Sequence, residues 1–330
     1  QKGNYTITGT ERMRNRPIRI LVDALRQVGA QIEYTEKEGF PPLRIKGQTL
    51  KGGDIQLDGS VSSQYISALL MIAPVMTNGL RLHLTGEVIS RPYINITTGL
   101  MRKYGVIVFE EGQTFTIPPQ QYSPVENFTV ESDWSAASYW YEIMALCKND
   151  QATVSLEGLR SDSLQGDASI VGLFDRLGIQ TTFTSSGVTL TKKQPEVDRL
   201  FSFDFVSMPD MAQTAVVTCA LMNIPFRFTG LQSLKIKETD RLTALRTEMR
   251  KLGYPLEISN GNTLEWTGER CAAETTPVIA TYEDHRMAMA FAPSSLCMNE
   301  ITIADPQVVS KSYPSYWNDL RSAGFIITEE

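Results

Sequence analysis

Histidine is nearly absent from this chain. Its 330 residues hold two, His83 and His285, too few to build a metal centre on imidazole, and no metal is expected. Cysteine is scarce as well. Cys147, Cys219, Cys271 and Cys297 are widely spread, with no CxxC pair, which excludes a zinc ribbon or a disulfide framework. They read as reduced thiols packed as small hydrophobes in a cytoplasmic protein. No apolar run is long enough to span a membrane, and the first residues lack the pattern of a signal peptide. Basic tails and stripes are missing too. The net charge is −6 and the pI is near 5.2, so neither nucleic acid nor a membrane is an expected partner. The chain opens on Gln1 rather than Met and is expected to be a fragment or a processed product.

What is present is a repeat. A length of 330 residues suggests two domains. Helix-like patterns ending in glycine recur at Gly29, Gly105, Gly178, Gly253 and Gly324, spaced by 76, 73, 75 and 71 residues, each followed by an apolar strand. A glycine after a helix is the expected left-handed cap, and five in near-constant phase define a unit. A second kind of helix alternates with the first. It opens at Asp58, Asp133, Asp210 and Asp284, spaced by 75, 77 and 74 residues, and runs on in Ala, Leu and Met. These helices are apolar nearly all round and should be buried, with each Asp as an N-cap.

The unit is therefore strand, buried helix, strand, outer helix, strands, and the class is α/β. Five outer-helix halves and four buried-helix halves are counted. The phase predicts an incomplete domain over residues 1–130 and a three-repeat domain over 131–330.

Parallel repeats put equivalent helix ends on one side. That face would carry Arg16, Ser62, Ser63, Gln64, Ser90, Asp210, Lys237, Glu238, Arg241, Asp284, His285, Arg286 and Lys311. The densest stretch is Lys235 to Leu242, whose spacing puts Lys237 and Arg241 on one helix face at i and i+4. A lone run of this kind is most simply a solvated first turn with capping acids. A net-acidic protein gathering four or five cations at helix N-termini points instead to a multiply charged anion. Each opposite pair at roughly 4 Å and an effective dielectric near 20 is worth about 4 kcal/mol before desolvation. Asp210 and Glu238 are the acid–base candidates, although each also stands where a cap or first-turn acid would stand.

Six segments carry a resemblance. They are Asp58-Gly59-Ser60-Val61-Ser62-Ser63-Gln64-Tyr65, Ser90-Arg91-Pro92-Tyr93, the run Ser161 to Asp167, Lys237-Glu238-Thr239-Asp240-Arg241-Leu242, the run Tyr282 to Met289, and Asp305-Pro306 through Lys311-Ser312-Tyr313-Pro314. In order along the whole chain they resemble the 5-enolpyruvylshikimate-3-phosphate synthase family. The resemblance implies an inside-out α/β barrel of two domains built from βαβαββ units, with helix N-termini at a closing cleft. It implies transfer of the enolpyruvyl group of phosphoenolpyruvate to the 5-hydroxyl of shikimate 3-phosphate, releasing phosphate, in aromatic amino acid biosynthesis. The path would be addition–elimination through a tetrahedral intermediate, with no cofactor and a monomeric full-length enzyme. By matching position, Arg16, Arg241, Arg286 and Lys311 would hold phosphoenolpyruvate. Ser62, Ser63, Gln64, Ser90, Tyr93, Ser233 and Lys237 would hold shikimate 3-phosphate, Ser233 standing where many members carry Asn. Asp210 would bind the shikimate hydroxyls and take the 5-hydroxyl proton. Glu238 would deliver a proton to the methylene carbon.

The family's N-terminal Lys-Ser…Arg and Gly-Asn-Ala-Gly-Thr-Ala-Met-Arg motifs are not in this sequence. The repeat count falls three halves short of six units, about 110 residues, so the expectation is a truncated, inactive form. Two alternatives stand. The related transferase acting on UDP-N-acetylglucosamine uses a Cys in the loop aligned with residues 9–16, which has none here. A non-catalytic anion-binding module of the same fold is the other.

Overall fold

The computed structural model describes residues 2–60, 62–88, 91–237 and 239–329. The chain divides into two compact units, Gln1–Thr129 and Val130–Glu330.

The first unit starts with β1 (Gly3–Ile7), α1 (Glu11–Arg14), α2 (Arg19–Gln27), β2 (Gln31–Tyr34) and β3 (Leu43–Gly47). The strands form an antiparallel sheet in the order β1-β3-β2. A full copy of the repeat follows: β4 (Gly53–Asp58), α3 (Ser63–Ile72), β5 (Leu80–Thr85), α4 (Arg91–Lys103), β6 (Phe109–Glu111) and β7 (Thr114–Ile117). Its sheet runs β4-β5-β7-β6, with β4 and β5 parallel from Gly53 opposite Leu80 to Asp58 opposite Thr85. Alternation makes β5 a strand: Leu80, Leu82 and Leu84 are buried, and Arg81, His83 and Thr85 face out.

The second unit holds α5 (Trp134–Leu146), β8 (Thr153–Glu157), α6 (Ile170–Arg176), β9 (Ile179–Phe183) and β10 (Gly187–Lys192). Next come β11 (Phe201–Asp204), α7 (Ala212–Leu221), β12 (Phe226–Thr229), α8 (Arg241–Lys251), β13 (Glu257–Ser259) and β14 (Thr263–Trp266). Last are β15 (Val278–Ile279), α9 (His285–Phe291), β16 (Thr302–Ile303) and α10 (Tyr316–Ser322). The sheet β11-β12-β14-β13 repeats the order of β4-β5-β7-β6, again with a parallel first pair. The other two sheets are smaller. β8-β10-β9 has three strands and β15-β16 is a parallel pair, so one of the three copies expected here carries four strands among the described residues. In place of a fourth strand beside β8, the polar segment before α5 is held by side chains. The Glu131 carboxylate accepts from Trp134 Nε1, Ser163 Oγ and Gln165 Nε2 at 2.8–3.1 Å.

The five predicted glycine caps all have positive φ, from 77° at Gly105 to 103° at Gly29. At Gly178, φ is 93° and a Cβ would stand 2.8 Å from the Lys193 carbonyl oxygen. Both conformation and space therefore require glycine. The expected burial of the second helix type holds for α5, α7 and α9, which pack on one another in the core of the second unit. It fails for α3, where Met71 is 50 % exposed. The capping expectation holds at Asp133 and Asp284, which accept from Ser135 N and Arg286 N. Asp58 ends β4 instead and accepts from Ser60 N at 2.8 Å, and Ser62 caps α3. Among the described residues, no helix is long and apolar enough to cross a membrane.

Candidate active site

The strongest concentration of charge lies in the second unit, where α7, α8 and α9 begin. Asp284 and Asp240 spend a carboxylate oxygen on capping, Asp240 toward Thr243 N at 3.2 Å. Asp210 does not. It lies in a 3₁₀ turn, Pro209–Met211, with no capping bond, and the turn aims its carboxylate at three cations. Arg241 Nη1 donates to Oδ1 at 2.7 Å, Lys237 Nζ lies 3.5 Å from the same oxygen, and Arg286 Nη2 donates to Oδ2 at 3.4 Å. Arg286 Nη1 also donates to the Asp210 carbonyl at 3.2 Å.

Arg241 is the hub. Its side chain is 2 % exposed, and its other edge pairs with the fully buried Asp284, Nε to Oδ2 at 2.5 Å and Nη2 to Oδ1 at 3.3 Å. A buried guanidinium between two carboxylates is a planar, two-sided match of donors to acceptors. Lys237 and Arg241 were expected on one helix face, and the structure corrects this. Lys237 follows the 3₁₀ turn Gln232–Ile236, outside any helix, and Arg241 is the first residue of α8. Asp240 takes the cap and breaks the helix between them, yet both cations reach Asp210.

The electrostatics follow from burial and charge. Burial alone would raise the Asp210 pKa, but Arg286, Lys237 and Arg241 outweigh it and hold the carboxyl well below the usual range. The cluster lies at the N-terminal ends of α7 and α8, where the helix dipoles add positive potential. Behind Arg286, its Nη2 donates to Ser135 Oγ at 3.3 Å, and Ser135 donates in turn to the buried Asp167. Burial pushes the Asp167 pKa up, opposed by the Ser135 hydroxyl and Arg286. Sequence reasoning gave Ser135 and Asp167 no role. A signal existed for the first: Ser135 stands two residues after Asp133, as Arg286 does after Asp284.

A cavity of about 70 Å³ opens beside this cluster, lined by Ser135, Tyr139, His285, Arg286, Ser312 and Tyr313. Lys311, exposed at the end of the 3₁₀ turn Pro306–Lys311, adjoins it in sequence. Ser233 is half-buried in the turn Gln232–Ile236. Glu238 lies outside the described residues, as does Ser90.

The remaining candidates belong to the first unit. Arg16 is exposed in the turn between α1 and α2, and the Tyr65 hydroxyl donates to the Pro17 carbonyl at 2.7 Å, tying this loop to the first turn of α3. Ser62 Oγ accepts from Gln64 N at 3.3 Å, Ser63 is buried, and Tyr93 is half-buried in the first turn of α4. Among the described residues no group of three His, Cys, Asp or Glu side chains is placed to hold a metal ion.

Comparison with known proteins gives one consistent family. The sequence model described as EPSP synthase (3-phosphoshikimate 1-carboxyvinyltransferase) matches residues 1–320. The chain is 60 % identical over 324 residues to a 3-phosphoshikimate 1-carboxyvinyltransferase of Bacteroides fragilis strain YCH46, covering 98 % of this chain and 78 % of that one. In fold it is similar to an EPSP synthase of Acinetobacter baumannii, with a TM-score of 0.78 and 22 % identity over 98 % of this chain and 74 % of that one. It is also similar to the enolpyruvyl transferase NikO of Streptomyces tendae, at a TM-score of 0.71 and 16 % identity over 98 % and 73 %.

Proposed function

The chain belongs to the EPSP synthase (3-phosphoshikimate 1-carboxyvinyltransferase) family, and from that premise we propose how its residues divide the reaction. The reaction moves the enolpyruvyl group of phosphoenolpyruvate to the 5-hydroxyl of shikimate 3-phosphate and releases phosphate. Arg241, Arg286 and Lys311, with Arg16, take the phosphate and carboxylate of phosphoenolpyruvate. Lys237, Ser62, Ser63, Gln64, Ser90, Tyr93 and Ser233 take the shikimate ester. Asp210 binds the shikimate hydroxyls and accepts the 5-hydroxyl proton. Glu238 donates a proton to the methylene carbon, and the adduct then loses phosphate together with one proton of the new methyl group, which restores the double bond.

One observation carries this reading: Asp210 is a buried carboxylate facing three cations and relieved of capping duty. Its surroundings also supply a sequence of events. In the field of these cations the carboxyl is held ionised and is a poor base. Two phosphorylated substrates bring negative charge to Arg286 and Lys237. Their field at Asp210 is then compensated, its pKa rises toward the usual carboxylate range, and its basicity returns. Arg241 cannot follow an anion freely, because Asp284 grips it. It is the fixed element, and Lys237, whose side chain is 30 % exposed, is the one that solvent and an incoming anion can reach.

Asp210→Asn, set against a parent first shown to release phosphate, is the decisive variant, read by phosphate release and by calorimetry with phosphoenolpyruvate in the presence of shikimate 3-phosphate. We expect turnover to fall by roughly 10²–10⁴, the range of a general base. Anion affinity should hold or improve, since one negative charge leaves the site. Turnover within about tenfold of the parent would refute the assignment. The monomeric state and a cytoplasmic location belong to the same proposal. Sedimentation velocity checks the first, and a stable dimer would contradict it.

A further inference from the structure

The turn that delivers Asp284 and Arg286 to the site is strained, and a carboxylate outside the reaction holds it. Tyr282 and Glu283 both lie in the left-handed region, with φ of 55° and 57°. Two consecutive non-glycine residues persist there only where the surroundings over-determine them. Here the surroundings are α8. Glu248 is 0 % exposed. Its Oε1 accepts from the Tyr282 hydroxyl at 2.7 Å, and its Oε2 accepts from Ala280 N at 3.1 Å and Lys251 Nζ at 2.7 Å. Lys251 also donates to the Val278 carbonyl at 2.8 Å. Seven residues before Glu248, two turns up the same face of α8, Arg241 grips Asp284. One helix therefore holds the segment on both sides of the strained pair, at 278–282 by Glu248 and Lys251 and at 284 by Arg241. The Tyr282 hydroxyl stays a donor. Burial, the hydrogen bond to Glu248 and its negative charge push the phenol up to about 12.

We propose that Glu248 is a positioning residue for the anion site: through Tyr282 it fixes the strained turn, so that Asp284 and Arg286 meet Arg241 and Asp210 in register. The proposal rests on the reading of Arg241 and Arg286 as phosphoenolpyruvate ligands. A loosened turn misplaces Arg286, whereas Asp210 keeps Lys237 and Arg241 as partners and the first unit is untouched. The loss should therefore fall on phosphoenolpyruvate and spare shikimate 3-phosphate.

Tyr282→Phe tests this with little risk to folding, because the residue is 38 % exposed and only the hydroxyl is removed. We expect KM for phosphoenolpyruvate to rise about fivefold, the factor of one hydrogen bond. KM for shikimate 3-phosphate should stay within about twofold, and Glu248→Gln, whose amide nitrogen cannot accept from the Ala280 and Lys251 donors that Oε2 now holds, should give at least as large a rise. A phosphoenolpyruvate KM within about twofold of the parent, an equal rise for both substrates, or a change confined to Tm would overturn the proposal. Arg286→Lys separates it from the reading beneath. If that control raises the phosphoenolpyruvate KM and Tyr282→Phe does not, the positioning role alone falls. If the control is silent, the ligand assignment fails and the proposal fails with it.

Discussion

Helices α3 and α7 hold the same place in the repeat, each between two parallel strands, and meet opposite fates. All ten residues of α7 are buried, against four of ten in α3. The difference is in their neighbours. α7 packs against α5, α8 and α9, whereas α3 packs against α2 and α4. Charge follows the same division. Every buried Asp, Glu, Lys or Arg among the described residues belongs to the second unit: Glu142, Asp167, Asp210, Arg241, Glu248 and Asp284. Among its described residues the first unit buries two polar side chains, Ser63 and Thr98. The repeat thus sets backbone order, and the number of helices stacked on each copy decides whether a charge at a helix start is locked or solvated. Arg241 is locked, and Arg16, at a corresponding outer-helix start, is exposed.

Breaking the locked charge should show the contrast at its largest. Arg241→Ala strands Asp284 and Asp210 without their guanidinium and should cost about 3–5 kcal/mol of stability. Arg16→Ala should stay within about 0.5 kcal/mol. Urea unfolding followed by circular dichroism measures both, and equal losses would erase the contrast. Packing should divide the units in the same sense. Met289→Ala, on α9 at 2 % exposure, should cost about 2–5 kcal/mol, whereas Met71→Ala on α3 should cost less than about 0.5 kcal/mol. The most gradual effect is a pH slope. Glu142 on α5 is 0 % exposed, and neither carboxyl oxygen has a hydrogen-bond partner among the described residues. Burial pushes its pKa well above 4.5. The unfolded carboxyl ionises near that value and the folded one does not. Stability from this group is therefore full below about pH 4.5 and declines above it, by up to about 1.4 kcal/mol per pH unit. Glu142→Gln should flatten that decline and leave stability near pH 4 unchanged. Asp210 has the opposite sign, because its folded pKa is depressed. Its stabilisation is complete above about pH 4 and is lost as the pH falls further.

Much of this was legible in the sequence because the repeat is periodic in residue types with one backbone meaning. The five glycines marked helix ends whatever else surrounded them, and the six motif segments pointed to the family that the comparisons show. Reading failed where the answer depended on partners remote in sequence. Lys237 and Arg241 share a helical spacing, yet Asp240 caps α8 between them. Asp58 and Asp210 stand in phase with Asp133 and Asp284, but neither caps. The Ser135–Asp167 link joins residues 32 apart, and no local pattern announces it. The burial of Met71 was overpredicted because apolarity records what a helix can bury, whereas packing neighbours decide what it does bury.

The Arg241 hub also bears on how the second unit folds. Its guanidinium is held by a turn at 209–211 and by the cap of α9, both remote from it in sequence. A partly folded chain that docked α8 first would bury a cation without its carboxylates, at a cost of several kcal/mol. Such a species is unfavourable enough to be rarely populated. The charges of this cluster should therefore desolvate together with the last helix to dock, making its assembly an all-or-none event that coincides with completion of the fold.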